Sequence, residues 1–180
     1  MIENLLATKK KSGIITLALQ QLYFLIWLLL QRRSQAGRIK KAYKIMKMIN
    51  QPTFRENPQR LFSYVRKIDP FVFEELLLLS FKARGIKVIH NKRYTGDGGI
   101  DGIVILKDKK RYAIQAKRYT NHINSSHVDH FKRAVINHGC HGGFFIHSGK
   151  SGGRIFQSMG ASIHLISGNN LHQLLTQAIS

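Results

Sequence analysis

The chain has 180 residues, which leaves room for one compact domain plus an extension but not for two full domains. Its 29 Lys and Arg residues outnumber its 9 Asp and Glu residues, which gives a net charge of +20 at pH 7. Such an excess predicts a polyanionic partner, nucleic acid first and an anionic lipid surface second. The single cysteine, Cys140, excludes an intramolecular disulfide and fits a reducing compartment.

An uncharged apolar run, IITLALQQLYFLIWLLL, occupies residues 14–30. A helix of this length is just long enough to cross the hydrocarbon core of a bilayer. Seven Lys and Arg residues lie between positions 32 and 47, against three before the run, so the positive-inside rule predicts a cytoplasmic C-terminal side. No small-residue cleavage pattern follows Leu30, which argues against a signal peptide. We expect a single-pass inner-membrane protein; the alternative is a buried or interfacial helix in a cytoplasmic protein.

A basic amphipathic segment follows at residues 38–49, where apolar side chains recur at helical spacing among lysines. It is suited to lie on acidic lipid or on DNA, or to serve only as a juxtamembrane helix. Pro52 and Pro58 then mark a linker. We therefore expect an anchor with its basic flank over 1–50, a linker with a short helix over 51–68, and a folded domain over 69–180.

Helical and strand patterns alternate through that domain, which predicts an α/β fold with a mixed central sheet flanked by helices. Gly85 and Gly139 mark the ends of two helices, and a turn at 108–110 separates two strands. The predicted elements are, in order, helix 71–84, strands 86–90, 101–107 and 111–118, helix 127–138, strand 143–147, helix 153–159, strand 162–166 and helix 170–178.

Four of the nine acidic residues, Glu74, Glu75, Asp97 and Asp101, fall close together in the sequence. Carboxylates gathered in a basic chain indicate a hard-cation site, since magnesium needs only one or two of them plus a substrate phosphate. Helix geometry places Glu74 on the core-facing side of its helix and Glu75 in solvent near Lys82. A buried carboxylate needs a metal, a cation or a proton, so this geometry favours Glu74 as the site residue.

Gln115 and Lys117 alternate on one strand and therefore point to the same face. Hydrolysis of a phosphodiester requires an activated water and neutralisation of the developing charge. Asp101 and the side-chain oxygen of Gln115 are candidate metal ligands, and Lys117 is placed to orient the water and neutralise charge. For the two strand residues alone, a solvent-facing edge pair is the alternative.

Three segments, FEELLLLSFKARGIKVI, GDGGIDGIVI and YAIQAKRY, resemble the catalytic domain of Mrr-type restriction endonucleases, within the PD-(D/E)xK nuclease superfamily. The resemblance spans residues 69–178, and QxK in place of ExK is typical of the Mrr group. It implies a restriction-endonuclease-like fold with Glu74, Asp101, Gln115 and Lys117 as the active-site positions. It further implies the carbonyl of Ala116 as a metal ligand, with Mg²⁺ as cofactor and Mn²⁺ as a substitute.

Three further cations are candidate DNA contacts: Arg118 at the strand end, and Lys150 and Arg154 in a glycine-rich loop suited to cradle a phosphate. A flexible connector is the alternative for that loop. Asp97 either caps its turn or takes a direct part in catalysis. The HGCH segment around Cys140 lacks the paired ligand spacing of zinc sites.

Together these features predict a metal-dependent endodeoxyribonuclease of restriction or defence type, tethered to the inner membrane through residues 14–30. Cutting both strands would use a homodimer on DNA. Two alternatives stay open: a junction resolvase or repair nuclease of the same superfamily, and a non-catalytic DNA-binding membrane protein with a decayed nuclease core.

Overall fold

The computed structural model describes residues 2–91, 99–118, 125–149 and 160–176. The chain forms two compact units, Met1–Gly37 and Arg38–Ser180. A single long helix, α1 (Ile2–Ile49), makes up the described part of the first unit and runs on into the second. In the first unit, large apolar side chains are exposed: Leu19, Leu22, Tyr23, Phe24, Leu25, Ile26, Leu29 and Leu30.

The predicted membrane-spanning helix over residues 14–30 is not supported. In the described part of the chain, no helix combines the length and the apolar character that crossing a membrane requires. Gln20 and Gln21 interrupt the run, and lysines and arginines on both sides hold it at the lower limit of a spanning length. The predicted single-pass topology therefore lacks structural support.

The second unit combines helices with a five-stranded sheet, which confirms the predicted α/β class. The helices after α1 are α2 (Pro52–Arg55), α3 (Pro58–Val65), α4 (Pro70–Ala83), α5 (Ser125–Asn137) and α6 (Gly168–Thr176). The strands are β1 (Lys87–His90), β2 (Gly102–Ile105), β3 (Arg111–Lys117), β4 (Gly142–His147) and β5 (Ile163–Ile166).

The sheet is mixed and its strands lie in sequence order, β1-β2-β3-β4-β5. The first three strands pair antiparallel, whereas β3, β4 and β5 are parallel. Short connections suffice for antiparallel neighbours, while a parallel pair needs a crossover, and α5 supplies the one between β3 and β4. The central strand β3 is thus held on both sides and offers a rigid base for side chains.

Alternation along β3 divides the core into two layers. Ile114 and Ala116 belong to a cluster with α4, α6 and the end of α1, whereas Ala113 belongs to a second cluster with α5. Two glycines allow close packing, because a Cβ at Gly102 would lie 2.8 Å from Leu78 Cδ2 and one at Gly143 would lie 2.6 Å from the Phe131 ring. Both helices therefore press directly on the sheet.

The C-terminal end of α1 is part of this core. Ala42, Met46 and Ile49 are buried in the same cluster as α4 and α6. These residues recur at helical spacing, so one side of the helix faces the sheet unit while its lysines face outward. The segment predicted as a basic juxtamembrane helix therefore packs against the sheet-containing unit.

Local signals placed most elements correctly. The helix predicted over 71–84 spans Pro70–Ala83, and the strand predicted over 111–118 spans Arg111–Lys117. Asp69 caps α4, since its side-chain oxygen accepts a hydrogen bond from the Val72 amide at 3.1 Å. The helix predicted over 153–159 lies outside the described residues.

Candidate active site

Asp101 is fixed against the middle of β3. The antiparallel register pairs Gly102 with Ile114, and the Asp101 amide donates to the Ile114 carbonyl at 2.7 Å. The Ala116 amide donates in turn to Oδ2 of Asp101 at 2.6 Å. This short hydrogen bond anchors the Asp101 side chain to the backbone of β3. The sheet register thus brings the aspartate of one strand to the QAK segment of the next.

Gln115 ties the approach to Asp101 onto the same strand. Its Nε2 donates to the Gly99 carbonyl at 2.7 Å, and the side chain is 7% exposed. Gly99 has a φ of 87°, a left-handed conformation that glycine adopts without strain. The Oε1 atom of Gln115 is buried and, among the described residues, has no hydrogen-bond partner. A buried amide oxygen without a hydrogen-bond partner is a candidate cation ligand.

Glu74 and Lys117 complete the group of charges. Glu74 lies half-buried on α4, within electrostatic range of Asp101 and Lys117. Burial is the largest cause that raises the pKa of Glu74 from 4.5 to about 8; the negative charge of Asp101 raises it further, and Lys117 opposes both. A carboxyl group with this pKa is mostly protonated at pH 7.

The expected burial of the two glutamates was wrong. Glu75, expected in solvent near Lys82, is 1% exposed, whereas Glu74 is only half-buried. Oε2 of Glu75 lies 3.1 Å from Nδ1 of His90, at ion-pair distance but without the alignment of a hydrogen bond. Because α4 is covered on most of its circumference, helical spacing alone does not define one inward face. Glu74 nevertheless lies within electrostatic range of Asp101 and Lys117.

Two arginines join the end of α3 to the C-terminal ends of β3 and β4 through hydrogen bonds to backbone carbonyls. Nη1 of Arg118 donates to the carbonyl of Arg66, and Arg66 donates from Nε and Nη2 to the Ser148 carbonyl at 2.9 and 2.6 Å. These contacts fasten the end of α3 to the sheet near Lys117. A phosphate contact from Arg118 stays a prediction, while Lys150, Arg154 and Asp97 lie outside the described residues.

No sequence pattern pointed to Arg38 as a residue near the site. Its guanidinium carbon lies 4.4 Å from the centroid of the Phe71 ring. Phe71 precedes Glu74 by one helical turn, and the charge of Arg38 lowers the pKa of Glu74. The only sequence signal was the helical spacing of residues 38–49, which gave no indication that this helix meets α4.

The ligand chemistry fits a hard divalent cation. The Asp101 carboxylate and Oε1 of Gln115 are oxygen ligands of the kind that Mg²⁺ prefers, and the cation would keep several waters. Across residues 2–91, 99–118, 125–149 and 160–176, no group of three or more His, Cys, Asp or Glu side chains is placed to hold a metal. Burial also raises the pKa of the Cys140 thiol, which disfavours the thiolate that zinc binds.

The model of the restriction endonuclease family Mrr_cat matches residues 65–175, more than half of the chain. The chain belongs to this Mrr restriction endonuclease family. The Mrr match confirms the predicted resemblance and makes the domain a restriction-type nuclease acting on DNA. It contains all five strands and the four predicted active-site positions, whereas Arg38 lies before it. Neither the curated proteins nor the solved structures gave a match.

Proposed function

We propose that the protein is a metal-dependent endodeoxyribonuclease of restriction or defence type, with Glu74, Asp101, Gln115 and Lys117 as its catalytic residues. One observation carries the proposal. The Asp101 carboxylate is held against the QAK segment by the Ala116 amide, and Glu74 lies within electrostatic range of both Asp101 and Lys117. An anchored carboxylate, together with a half-buried glutamate that also senses a lysine, is suited to phosphodiester hydrolysis.

Three oxygens are proposed to hold the cation: the Asp101 carboxylate, Oε1 of Gln115 and the carbonyl of Ala116. Bound Mg²⁺, or Mn²⁺ as a substitute, supplies positive charge at the phosphate and a more acidic water. The Gln115 amide keeps its oxygen in place, because its Nε2 is already bound to the Gly99 carbonyl. This hydrogen bond reduces the entropy that the Gln115 side chain would lose on binding a cation.

Lys117 is proposed to orient the attacking water and to neutralise charge that develops on the phosphate. Its place at the end of β3 is fixed by the parallel pairing with β4, where the Ser148 amide donates to the Lys117 carbonyl at 3.2 Å. Glu74 holds a proton on its carboxyl group near pH 7 and is suited to exchange it with water in the site.

DNA contacts outside the reacting centre are proposed for Arg118, Lys150 and Arg154. The net charge of +20 supports a polyanionic substrate. Because one site cuts one strand, cleavage of both strands would use two copies of the chain on the DNA. A junction resolvase or repair nuclease would use the same residues and would differ only in the shape of the DNA that it prefers.

Plasmid cleavage tests the proposal through Lys117→Ala, with Lys110→Ala as the matched control because Lys110 is an exposed lysine of the turn before β3. In Mg²⁺ we expect nicking by the wild type and by Lys110→Ala, a loss of about 100- to 1000-fold in Lys117→Ala, and no cutting with a chelator. Equal cutting by wild type and Lys117→Ala would refute the mechanism.

The remaining outcomes of that assay separate the alternatives. A wild type that binds DNA with steep salt dependence yet leaves it uncut in Mg²⁺ and Mn²⁺ identifies a decayed nuclease core. Faster cutting of four-way junctions than of linear duplex identifies a resolvase. Faster cutting of methylated than of unmethylated plasmid identifies modification-dependent restriction.

We also propose that the exposed apolar side chains of α1 attach the protein to a membrane, which does not require the helix to cross it. Leu22, Tyr23, Phe24, Leu25 and Ile26 are consecutive and exposed, so they surround the helix with apolar surface. Fractionation without detergent tests this. The wild type should sediment with membranes, and a Leu25→Asn, Ile26→Asn variant should shift to the supernatant; a soluble wild type excludes attachment.

A further inference from the structure

Arg38 lies beside the proposed active site although it comes from α1, before the family match. Its guanidinium stacks 4.4 Å from the centre of the Phe71 ring in the first turn of α4. Phe71 and Glu74 are three residues apart and therefore neighbours on one face of that helix. The guanidinium charge held at Phe71 is thus one helical turn from Glu74. This proximity agrees with the lowering of the Glu74 pKa by Arg38.

Two exposed lysines continue from Arg38 along α1. Lys41 and Lys44 line a surface depression of about 330 Å³ together with Asp69 and Val72 at the start of α4. They follow Arg38 at steps of three residues, so the three cations span about 9 Å along the helix axis. One DNA strand advances about 3.4 Å per phosphate along the duplex axis, so this row can follow several phosphates.

The stacking of Arg38 on Phe71 is compatible with phosphate binding. A guanidinium meets an aromatic ring through its flat face, whereas it binds phosphate oxygens through the N–H groups at its edge. The ring therefore restricts the side chain and reduces the entropy lost when a phosphate binds. The aromatic contact orients the cation for a ligand beside Glu74.

We propose that Arg38 binds a DNA phosphate next to the cleaved one, and that Lys41 and Lys44 extend this backbone contact along α1. The inference rests on the proposed function, because it takes DNA as the substrate. DNA is favoured over anionic lipid because the row begins at the proposed catalytic glutamate, where a phosphodiester must lie. The N-terminal helix thereby contributes part of the substrate-binding surface.

Fluorescence anisotropy with a short duplex tests the proposal in the full-length chain, with a chelator present to prevent cutting. Arg38→Gln should weaken binding about 5- to 10-fold and reduce the slope of log K against log salt by about 0.9. The matched control is Lys110→Gln, which removes one charge from the exposed turn before β3, outside α1, and should leave the slope nearly unchanged. Equal affinities and slopes for the two variants overturn the proposal.

A second pair of measurements separates phosphate binding from support of the fold. The Lys41→Gln, Lys44→Gln variant changes only exposed side chains, so it should fold normally and lose about two units of salt slope. Arg38→Lys keeps the charge and should recover most of the slope. If the lysine variant binds like the wild type, and Arg38→Gln lowers the melting temperature without changing the slope, Arg38 only braces α1 and the proposal fails.

The same variants distinguish this inference from the proposed function. If the wild type binds DNA through Arg38 but does not cut it, the Arg38 contact is supported and the proposed nuclease function is refuted. If the wild type cuts DNA, and Arg38→Gln binds DNA like Lys110→Gln, only the proposed Arg38 contact is refuted. Binding to vesicles containing phosphatidylserine is measured in parallel. Loss of vesicle binding in Arg38→Gln with unchanged DNA binding assigns the surface to lipid and overturns the proposal.

Discussion

Replacing Glu74 by glutamine should change how the stability of the protein depends on pH. The pKa of Glu74 rises from 4.5 to about 8 on folding, chiefly through burial and then through the charge of Asp101. Between these pH values the folded protein binds more protons than the unfolded chain, so wild-type stability falls as pH rises through this window. Glu74→Gln has no proton to lose and should not show this fall.

The size of the effect follows from the same pKa difference. The full interval would correspond to about 5 kcal/mol. Glu74 is only half-buried and remains accessible to water, so we expect about 2 kcal/mol after solvent screening. Glu74→Gln should therefore gain about this much relative to the wild type between pH 5 and pH 9.

Urea unfolding at pH 5 and pH 9 measures the difference, with a chelator present so that no bound cation stabilises the ionised glutamate. Glu56→Gln is the matched control, because the Glu56 side chain is 71% exposed and its removal should have the same effect at both pH values. If Glu74→Gln and the wild type differ by the same amount at both pH values, the carboxyl group is not held in its neutral form by the fold.

Two further substitutions test the packing that positions the site. Gly102→Ala would place a Cβ 2.8 Å from Leu78 Cδ2 and should destabilise the protein by about 1 to 3 kcal/mol in urea unfolding. The control is Gly37→Ala, whose Cβ meets no atom within 4 Å and should not lower the stability. Equal unfolding midpoints for the two variants would contradict the close packing of α4 on β2. His90→Ala removes the imidazole whose Nδ1 lies 3.1 Å from Oε2 of the buried Glu75, and it should cost about 2 kcal/mol in the same assay. A change below about 0.5 kcal/mol would show that this contact contributes no stability.

The sequence alone determined the elements of the domain and most of their order. Alternating apolar residues, glycines after helices and the turn at 108–110 are local signals. They predict helices and hairpin strands well because these elements depend mostly on hydrogen bonds between residues close in sequence. The convergence of Asp101 with Gln115 was also within reach, because a short hairpin places consecutive antiparallel strands side by side. The family resemblance supplied the same residues by a separate route and is confirmed by the match over 65–175.

Tertiary structure decided which groups are buried and which distant charges meet. Glu75 rather than Glu74 is the deeply buried glutamate, because α4 is covered by the sheet, by α6 and by the end of α1, and no helical period reveals how far that cover extends. Arg38 reaches Phe71 across more than thirty residues of chain. Such contacts depend on how whole helices pack, and side-chain spacing within one segment carries no information about the partner segment. The sequence thus identified Asp101, Gln115 and Lys117 as candidate site residues, and only the packing of α1 and α4 determined the charges around them.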